Sequence, residues 1–262
     1  MSGDFDQRFG GIARLITPAG LETLRKSRVC VIGIGGVGCW AVEALARSAV
    51  GEITMVDLDE VCVSNVNRQL HAIDGHVGQT KVGAMAERIR RINPECVIRE
   101  DLRFYTESTS DSILDHGYDY VIDAFDAGKK KAHLIAACKE RGIPVVTVGG
   151  AGGRLDPTAI QTTDLTRSLY DPLLYLVRKM LRTRYGFPRN VKKKFDVDCV
   201  WSEERPSYLW SDGTMRDQRE VKGSDMRLNC DSGFGTATFV VGAFGFAAAA
   251  CAIRRLLEPS EE

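Results

Sequence analysis

The chain has 262 residues, of which 44% are hydrophobic and 27% charged, a composition that excludes disordered and collagen-like proteins. Its 35 Lys and Arg residues balance 35 Asp and Glu residues, so bulk charge predicts neither a nucleic-acid partner, DNA included, nor a membrane, and any such partner must be met by a local patch. Eight scattered cysteines include no C-x-x-C pair and no signal peptide is recognised, which argues against structural zinc and predicts a reducing, cytoplasmic location.

The first half alternates strand-like and helix-like segments, which predicts an α/β fold with a Rossmann-like, doubly wound, mainly parallel sheet. The predicted strands cover 28–33, 52–57, 96–101, 118–125 and 144–150, and the predicted helices 36–49, 80–92 and 129–141. Further on, a strand is expected at 159–165 and a helical period at 170–185. The sequence therefore predicts one domain, with a nucleotide-binding core (1–165) and a carboxy-terminal extension (166–262).

Residues 233–253 carry no charge and are long enough to cross a bilayer. They are rich in Gly and Ala, however, and no aromatic belt flanks them. A buried helix packed on the sheet is therefore favoured over a membrane span.

A glycine-rich turn follows the first predicted strand and opens a helix. Gly33 permits a tight turn, Gly35 and Gly36 let backbone approach a phosphate, and Gly38 allows the helix to pack closely on the strand. The amides and dipole at the start of the helix favour an anion. Asp57, at the end of the second strand, is placed to accept from ribose hydroxyls, so NAD and ATP are equally supported here; a turn without a ligand is the plainer alternative.

The residues after Asp57 favour a triphosphate. Arg68 offers forked donors to β and γ phosphate oxygens, and Asn65 and Gln69 offer amides to phosphate or to a substrate carboxylate. Lys81 offers a cation to a leaving pyrophosphate, and Asp59 lies in the same set. The alternative is that Arg68 and Lys81 are solvated surface charges.

Two acids close the fourth predicted strand. Asp123 is expected to hold Mg²⁺ against the phosphates, because that ion prefers hard oxygen ligands. Asp126 is expected to cap the helix that follows.

Together, five segments resemble the ubiquitin-activating-enzyme superfamily, whose members adenylylate carboxylates. They are RFGG (8–11), GIGGVG (33–38), VDLDEVCVSNVNRQ (56–69), QTK (79–81) and VIDAFD (121–126). The resemblance implies that Asp57 holds the ribose, that Asn65, Arg68 and Lys81 work on the phosphates, and that Asp123 binds magnesium. It also implies a homodimer in which Arg8 or Arg14 reaches into the site of the other chain.

Over essentially the whole chain, RFGGIARL (8–15), VVTVGGAGGRLDPT (145–158) and LNCDSGFGTATFV (228–240) are similar to bacterial tRNA threonylcarbamoyladenosine dehydratases. That similarity implies ATP-dependent activation of the threonyl carboxylate of threonylcarbamoyladenosine, followed by ring closure to an oxazolone that expels AMP.

Three other functions remain open. An activator of a ubiquitin-like sulfur carrier would share the ATP site, and the carrier or a sulfur-relay protein would then be a partner. The absence of C-x-x-C pairs counts against this function, because such activators typically hold zinc with two of them. An NAD-dependent oxidoreductase is disfavoured by Arg68 and Lys81. A non-catalytic RNA-binding module with a nucleotide fold is the third.

The segment Arg178–Lys194 is the candidate contact with tRNA. It carries no acid but eight cations, namely Arg178, Lys179, Arg182, Arg184, Arg189, Lys192, Lys193 and Lys194. Tyr185 and Phe187 lie between them and are candidates for stacking on an unpaired base. A solvated basic helix face is the alternative.

Cys230 lies in a polar, glycine-containing setting unlike that of the other cysteines. It is a candidate nucleophile that would capture the activated acyl group as a thioester. Ring closure within the substrate needs no such nucleophile, which favours the route without it.

Overall fold

The computed structural model describes residues 3–218, 220 and 234–259. Seven helices are described: α1 (Gly3–Lys26), α2 (Gly36–Arg47), α3 (Lys81–Ile92), α4 (Ser110–Leu114), α5 (Gly128–Glu140), α6 (Pro172–Arg184) and α7 (Thr238–Leu256). The strands described are β1 (Arg28–Ile32), β2 (Glu52–Val56), β3 (Val97–Asp101), β4 (Tyr120–Asp123), β5 (Val145–Val148), β6 (Ile160–Asp164), β7 (Asp198–Ser202), β8 (Tyr208–Leu209) and β9 (Met215–Arg216).

The main sheet has seven strands in the order β3-β2-β1-β4-β5-β7-β6. All neighbours are parallel except β6, which runs antiparallel to β7. The predicted doubly wound α/β fold is confirmed. Because the chain builds outward from β1 to β3 and then returns to β4, a crevice opens where the carboxyl ends of β1 and β4 meet.

Both faces of the sheet are covered, which explains why its central strands read as continuous apolar runs. Side chains alternate along β1, so Val29 and Val31 join the core beneath α2, α3 and α7. Cys30 and Ile32 point the other way, into the core beneath α5 and α6.

Helix α7 confirms the predicted apolar helix packed on the sheet. It is long and apolar enough to cross a membrane, but half of its apolar window is buried inside the fold. Its glycines allow a close crossing with α2, since a Cβ at Gly245 would lie 2.6 Å from Val37 O and 2.7 Å from Trp40 Cβ. Phe239 and Phe246 face outward and are 56% and 49% exposed.

Helix α1 was not predicted from the sequence. It bends at Thr17, whose φ is +70°, directly before Pro18. Its first part packs through Phe5 and Phe9 against Ala49, and its last part leads directly into β1. Helix α1 therefore lies at the amino edge of the sheet, opposite the crevice.

Candidate active site

The glycine turn is shaped by close backbone contacts. Gly33 has a φ of +89°, and a Cβ there would lie 3.0 Å from the backbone of Ala124, just beyond β4. A Cβ at Gly38 would lie 1.8 Å from Gly33 O, so only glycine lets α2 start this close to the turn. By contrast, a Cβ at Gly35 meets only Gln69 Nε2, at 3.9 Å. Around Gly35 the backbone is thus open to a ligand, and the amides of the first turn of α2 favour an anion there.

Asp57 joins the turn to the end of β2. Its Oδ2 accepts from Ile34 N at 2.7 Å, and its Oδ1 accepts from Asp59 N at 2.9 Å. A carboxylate has about four lone-pair positions, so acceptor capacity remains for a ribose hydroxyl.

The segment after β2 brings its polar residues to the turn. Trp40 Nε1 donates to Arg68 O at 3.1 Å, which fixes the segment against α2. Asn65 is buried, and its Oδ1 accepts from Cys62 N at 3.1 Å. Arg68 lies against Gly36, with its Cγ 3.6 Å from the position of a Cβ there. Within residues 3–218, 220 and 234–259, Arg68 makes no ion pair, and only its Nη1 is engaged, by Ser64 O and Asn67 Oδ1.

Lys81 and Asp59 form an ion pair at the start of α3. Lys81 Nζ lies 2.8 Å from Asp59 Oδ2, and the lysine side chain is only 8% exposed while the aspartate is 52% exposed. Thr80 caps the helix by accepting from Gly83 N. The ammonium is therefore held at the wall of the crevice by a partner that water can reach.

Buried polar atoms without partners lie beside Lys81. In the part of the chain that the structure describes, neither ring nitrogen of His71 nor Oε1 of Gln69 has a hydrogen-bond partner. Burial lowers the pKa of His71 to about 4, and the charges of Lys81 and His76 add to this. His71 is therefore neutral at pH 7. Unsatisfied buried polar groups at this place fit a polar ligand or an ordered water.

The structure corrects the predicted role of Asp123. This side chain is fully buried, its Oδ1 accepts from Lys131 Nζ at 2.7 Å, and its Oδ2 accepts from Thr147 Oγ1 at 2.7 Å. Asp123 thus lies inside the sheet, where its carboxylate has no exposed surface and is committed to Lys131 and Thr147, so it does not face a metal ion in the crevice. Lys131 was missed in the sequence, although it shares the buried face of α5 with Ile135 and Cys138, and that spacing could have revealed it.

Asp126 lies where Asp123 was expected. It does not cap α5, because the cap residue is Ala127 and no side-chain cap bond is made. Its carboxyl is accessible to water but lies in a concave part of the surface, and desolvation there raises its pKa. The negative charge of Asp171 raises this pKa further, whereas the positive charges of Lys131 and Arg68 lower it. Asp126 is therefore an exposed acid just beyond β4, near enough to Arg68 for the two charges to interact.

The amino-terminal arginines lie far from this crevice in their own chain. Arg8 bonds to Asp4 and to the last carbonyls of α3, those of Arg91 and Ile92, at the amino edge of the sheet. Arg14 is exposed on α1. Neither contributes to the site of its own chain.

The structure also revises the basic segment. Tyr185 packs edge-on against His133 and Phe187 against Phe195, so both rings are half-buried against the core and only partly accessible. Arg178 bonds to Ser168, and Arg182 lies over Phe195.

The exposed cations of the segment are Lys179, Arg184, Arg189, Lys192, Lys193 and Lys194. Phe195 N donates to Asp164, which pairs with Asp198 at the start of β7. The lysines just before Phe195 are therefore at the amino edge, away from the crevice.

The cysteines among the described residues form neither disulfides nor a metal-binding group. The seven described cysteines are free, and Cys62 alone among them is exposed. Burial raises the pKa of Cys39 and of Cys96 to about 12. In the described ranges no group of three His, Cys, Asp or Glu residues could hold a metal ion. Cys230, the candidate nucleophile, lies outside the described residues.

Comparison with known proteins agrees with this arrangement. The sequence model of the ThiF family matches residues 11–262. The chain is 47% identical over 255 residues to the tRNA threonylcarbamoyladenosine dehydratase of Haemophilus influenzae, covering 97% of this chain and 95% of the relative. It is 47% identical over 257 residues to the Escherichia coli enzyme of the same name, covering 98% and 96%.

A solved structure of the E. coli tRNA N6-threonylcarbamoyladenosine dehydratase in complex with ATP is also similar. The two chains superpose with a TM-score of 0.85 at 44% identity, covering 97% of this chain and 96% of that chain. The chain therefore belongs to the ThiF family, and its similarity to the tRNA threonylcarbamoyladenosine dehydratases of that family extends over nearly its whole length.

Proposed function

We propose that this chain catalyses the ATP-dependent dehydration of threonylcarbamoyladenosine beside the anticodon of tRNA, which gives the cyclic oxazolone. Its similarity over nearly the whole chain to enzymes of that name supports the proposal, as does the ATP in a similar solved structure. The observation that carries it is that Arg68 lies against the start of α2 beside the open turn at Gly35, while Lys81 is paired with Asp59, two residues beyond the Asp57 that bonds to the turn. A triphosphate needs this concentration of donors, whereas a hydride-transfer cofactor does not.

In the proposed reaction the threonyl carboxylate attacks the α-phosphorus of ATP, and pyrophosphate leaves. Arg68 offers its unengaged Nε and Nη2 donors to the phosphates, and the Lys81 ammonium neutralises charge on the leaving pyrophosphate. The carbamoyl oxygen of the substrate then attacks the acyl carbon, a proton is lost from the adjacent nitrogen, and AMP departs with one carboxylate oxygen. The nucleoside loses the elements of one water.

A magnesium ion would be held by Asp126 rather than by Asp123, because the Asp126 side chain is exposed whereas Asp123 is fully buried in its ion pair with Lys131. When bound, the ion supplies positive charge to the phosphates. Asp126→Asn is expected to raise the magnesium concentration needed for half-maximal ATP binding about tenfold or more. An unchanged magnesium requirement in this variant, with the wild-type melting temperature, would remove Asp126 from the metal site.

Ring closure is written without an enzyme nucleophile because the two reacting groups belong to one substrate. Cys230→Ala is therefore expected to keep full turnover. A trapped thioester on Cys230 in the wild-type enzyme, together with an inactive Cys230→Ala variant, would replace this route by covalent catalysis.

We propose further that the chain works as a homodimer in which Arg14 completes the site of the partner chain. The outward face of α7, with Phe239 and Phe246 exposed, is an apolar surface suited to burial, and Arg14 is exposed without an ion pair among the described residues. Arg14→Ala and Arg68→Ala chains would each be inactive. Mixed dimers of the two would regain activity, because one of their sites receives both arginines; no recovery on mixing would refute the shared site.

The basic segment up to Lys194 is proposed to contact tRNA away from the reacting nucleotide, through its exposed lysines and arginines. A cytoplasmic location is proposed because the described cysteines are free thiols. A sulfur-carrier or sulfur-relay protein remains a candidate partner. Pyrophosphate exchange that depends on a carrier ending in Gly-Gly, rather than on tRNA, would move the function to sulfur-carrier activation.

The direct test of the proposed function is incubation with ATP and tRNA that contains threonylcarbamoyladenosine. AMP and pyrophosphate should form in equal amounts, and the nucleoside mass should fall by one water. Arg68→Ala serves as the matched inactive variant. An unchanged nucleoside mass with the wild-type protein would exclude the proposal.

A further inference from the structure

A groove lined by aromatic and arginine side chains lies beside the crevice and has no role in the reaction as described. It has a volume of about 480 Å³, and its lining includes Leu169, Tyr170, Tyr175, Arg178, Arg205 and Tyr208. Tyr170 is 47% exposed and Tyr175 63% exposed. Large aromatic rings that stay this exposed at the surface of a folded domain are typical of binding surfaces.

The groove is fixed to the carboxyl edge of the sheet, on the same side as the nucleotide turn. Asp171, which follows Tyr170 in the groove lining, accepts a hydrogen bond from Gly150 N at 2.9 Å, just beyond the end of β5. Leu176 of α6 packs against Gly128, the first residue of α5, with its side chain 3.0 Å from the position of a Cβ there. Gly128 lies two residues after Asp126. Since β5 is the second strand from β1, the end of β5, where Asp171 is anchored, lies about 10 Å from the turn at Gly33.

The groove has a rigid wall. Asp171 caps α6 by accepting from Leu174 N at 3.0 Å, and Pro172 occupies the first turn of that helix. Tyr170, immediately before this cap, has a φ of +53°, which a side chain of its size rarely adopts. The ring of Tyr170 is thus held at the rim by a strained backbone that the capped helix maintains.

Arg205 gives the groove its charge. Its guanidinium carbon lies 4.6 Å from the centre of the Tyr170 ring, and the side chain is exposed. Within the described residues Arg205 makes no ion pair, so its donors are available to a phosphate. Of the other charged lining groups, Asp171 is buried and bonded, Arg178 bonds to Ser168, and Asp217 is exposed.

We propose that this tyrosine–arginine surface (Tyr170, Tyr175 and Arg205) binds an unpaired nucleotide of the anticodon loop next to the modified adenosine. A base stacks on the exposed tyrosine rings, and Arg205 contacts a backbone phosphate, a combination that single-stranded RNA sites use repeatedly. This inference rests on the proposed function. The tyrosine rings of this surface are more exposed than Tyr185 and Phe187, the rings first expected to stack on a base, which are half-buried against the core.

The test measures binding of an anticodon stem-loop RNA that contains threonylcarbamoyladenosine, without ATP. Tyr175→Ala, on an exposed helix position, is expected to weaken binding on the order of tenfold, whereas Tyr175→Phe keeps the ring and the affinity. Arg205→Ala is expected to weaken binding and to lower the slope of log Kd against log salt by about 0.7. Arg216→Ala is the matched control, because Arg216 also lies on an aromatic ring, that of Trp210, but is paired with Asp212.

A second readout separates this surface from catalysis. With saturating free threonylcarbamoyladenosine nucleoside in place of RNA, Tyr175→Ala and Arg205→Ala should release AMP at the wild-type rate. Wild-type stem-loop affinity in both variants would overturn the inference, as would an equal loss of activity on the free nucleoside. If the wild-type protein bound the stem-loop through these residues but left the nucleoside mass unchanged, the surface would stand and the proposed function would fail.

Discussion

The buried pair of Asp123 and Lys131 allows a quantitative prediction. Both side chains have no exposed surface, and their charged atoms are 2.7 Å apart inside the sheet–helix interface. Removing one partner leaves the other charge buried and unpaired, which costs about 3–5 kcal/mol. Lys131→Met and Asp123→Asn should each lose stability of this order, whereas the double variant should recover most of it, because two neutral groups then face each other.

At about 2–4 °C per kcal/mol for a chain of this size, each single variant should melt about 6–20 °C below the wild type. Urea unfolding followed by circular dichroism gives the free energies, and the four proteins form a double-mutant cycle. Lys130→Met is the matched control, since Lys130 is exposed on the same helix and should change stability by less than about 0.5 kcal/mol.

The opposite pattern would refute the reasoning. If Asp123→Asn kept the wild-type stability while its affinity for magnesium and ATP fell, Asp123 would be a metal ligand as first expected, and the pairing with Lys131 would carry little free energy. A double variant as unstable as the sum of the singles would also exclude an interaction between the two side chains.

Two further predictions concern the crevice. Gly38→Ala places a methyl group on Gly33 O, so this variant should lose several kcal/mol of stability or fail to fold. Gly11→Ala, with open space around its Cβ, should instead gain up to about 1 kcal/mol of helix stability. Equal melting temperatures for the two variants would contradict the close contact at Gly38. The pKa of His71 is lowered from 6.5 to about 4 in the folded state, so the unfolded state binds more protons between these values. The stability due to neutral His71 is then complete above pH 6.5 and is lost as the pH falls towards 4, by about 3 kcal/mol in all. Between pH 7 and pH 4.5 the free energy of unfolding should therefore fall more in the wild type than in His71→Leu.

Much of the fold could be predicted from the sequence because it rests on local patterns. The strand that leads to Gly33 and the helix that follows it are marked by apolar runs and by Gly33 and Gly38, where a Cβ would meet backbone. Helix α1 escaped prediction because its first half packs through few apolar side chains, mainly Phe5 and Phe9, and its bend interrupts the periodicity.

The candidate site shows where sequence reasoning fails. Asp123 and Asp126 are equally suitable acids in the sequence, and the choice between them depends on where β4 ends and on the buried position of Lys131. Likewise Tyr185 and Phe187 lie among cations in the sequence, but packing against His133 and Phe195 half-buries both rings. Such long-range contacts cannot be read from spacing along one segment.

The central claim is that ATP activates the carboxylate by adenylylation. It is tested most directly by following oxygen from a tRNA whose threonylcarbamoyl group carries heavy oxygen in its carboxylate. The account predicts that the AMP released contains one heavy oxygen atom and that the cyclic nucleoside retains the other. Unlabelled AMP, or label found in inorganic phosphate with ADP as the second product, would contradict adenylylation of the carboxylate.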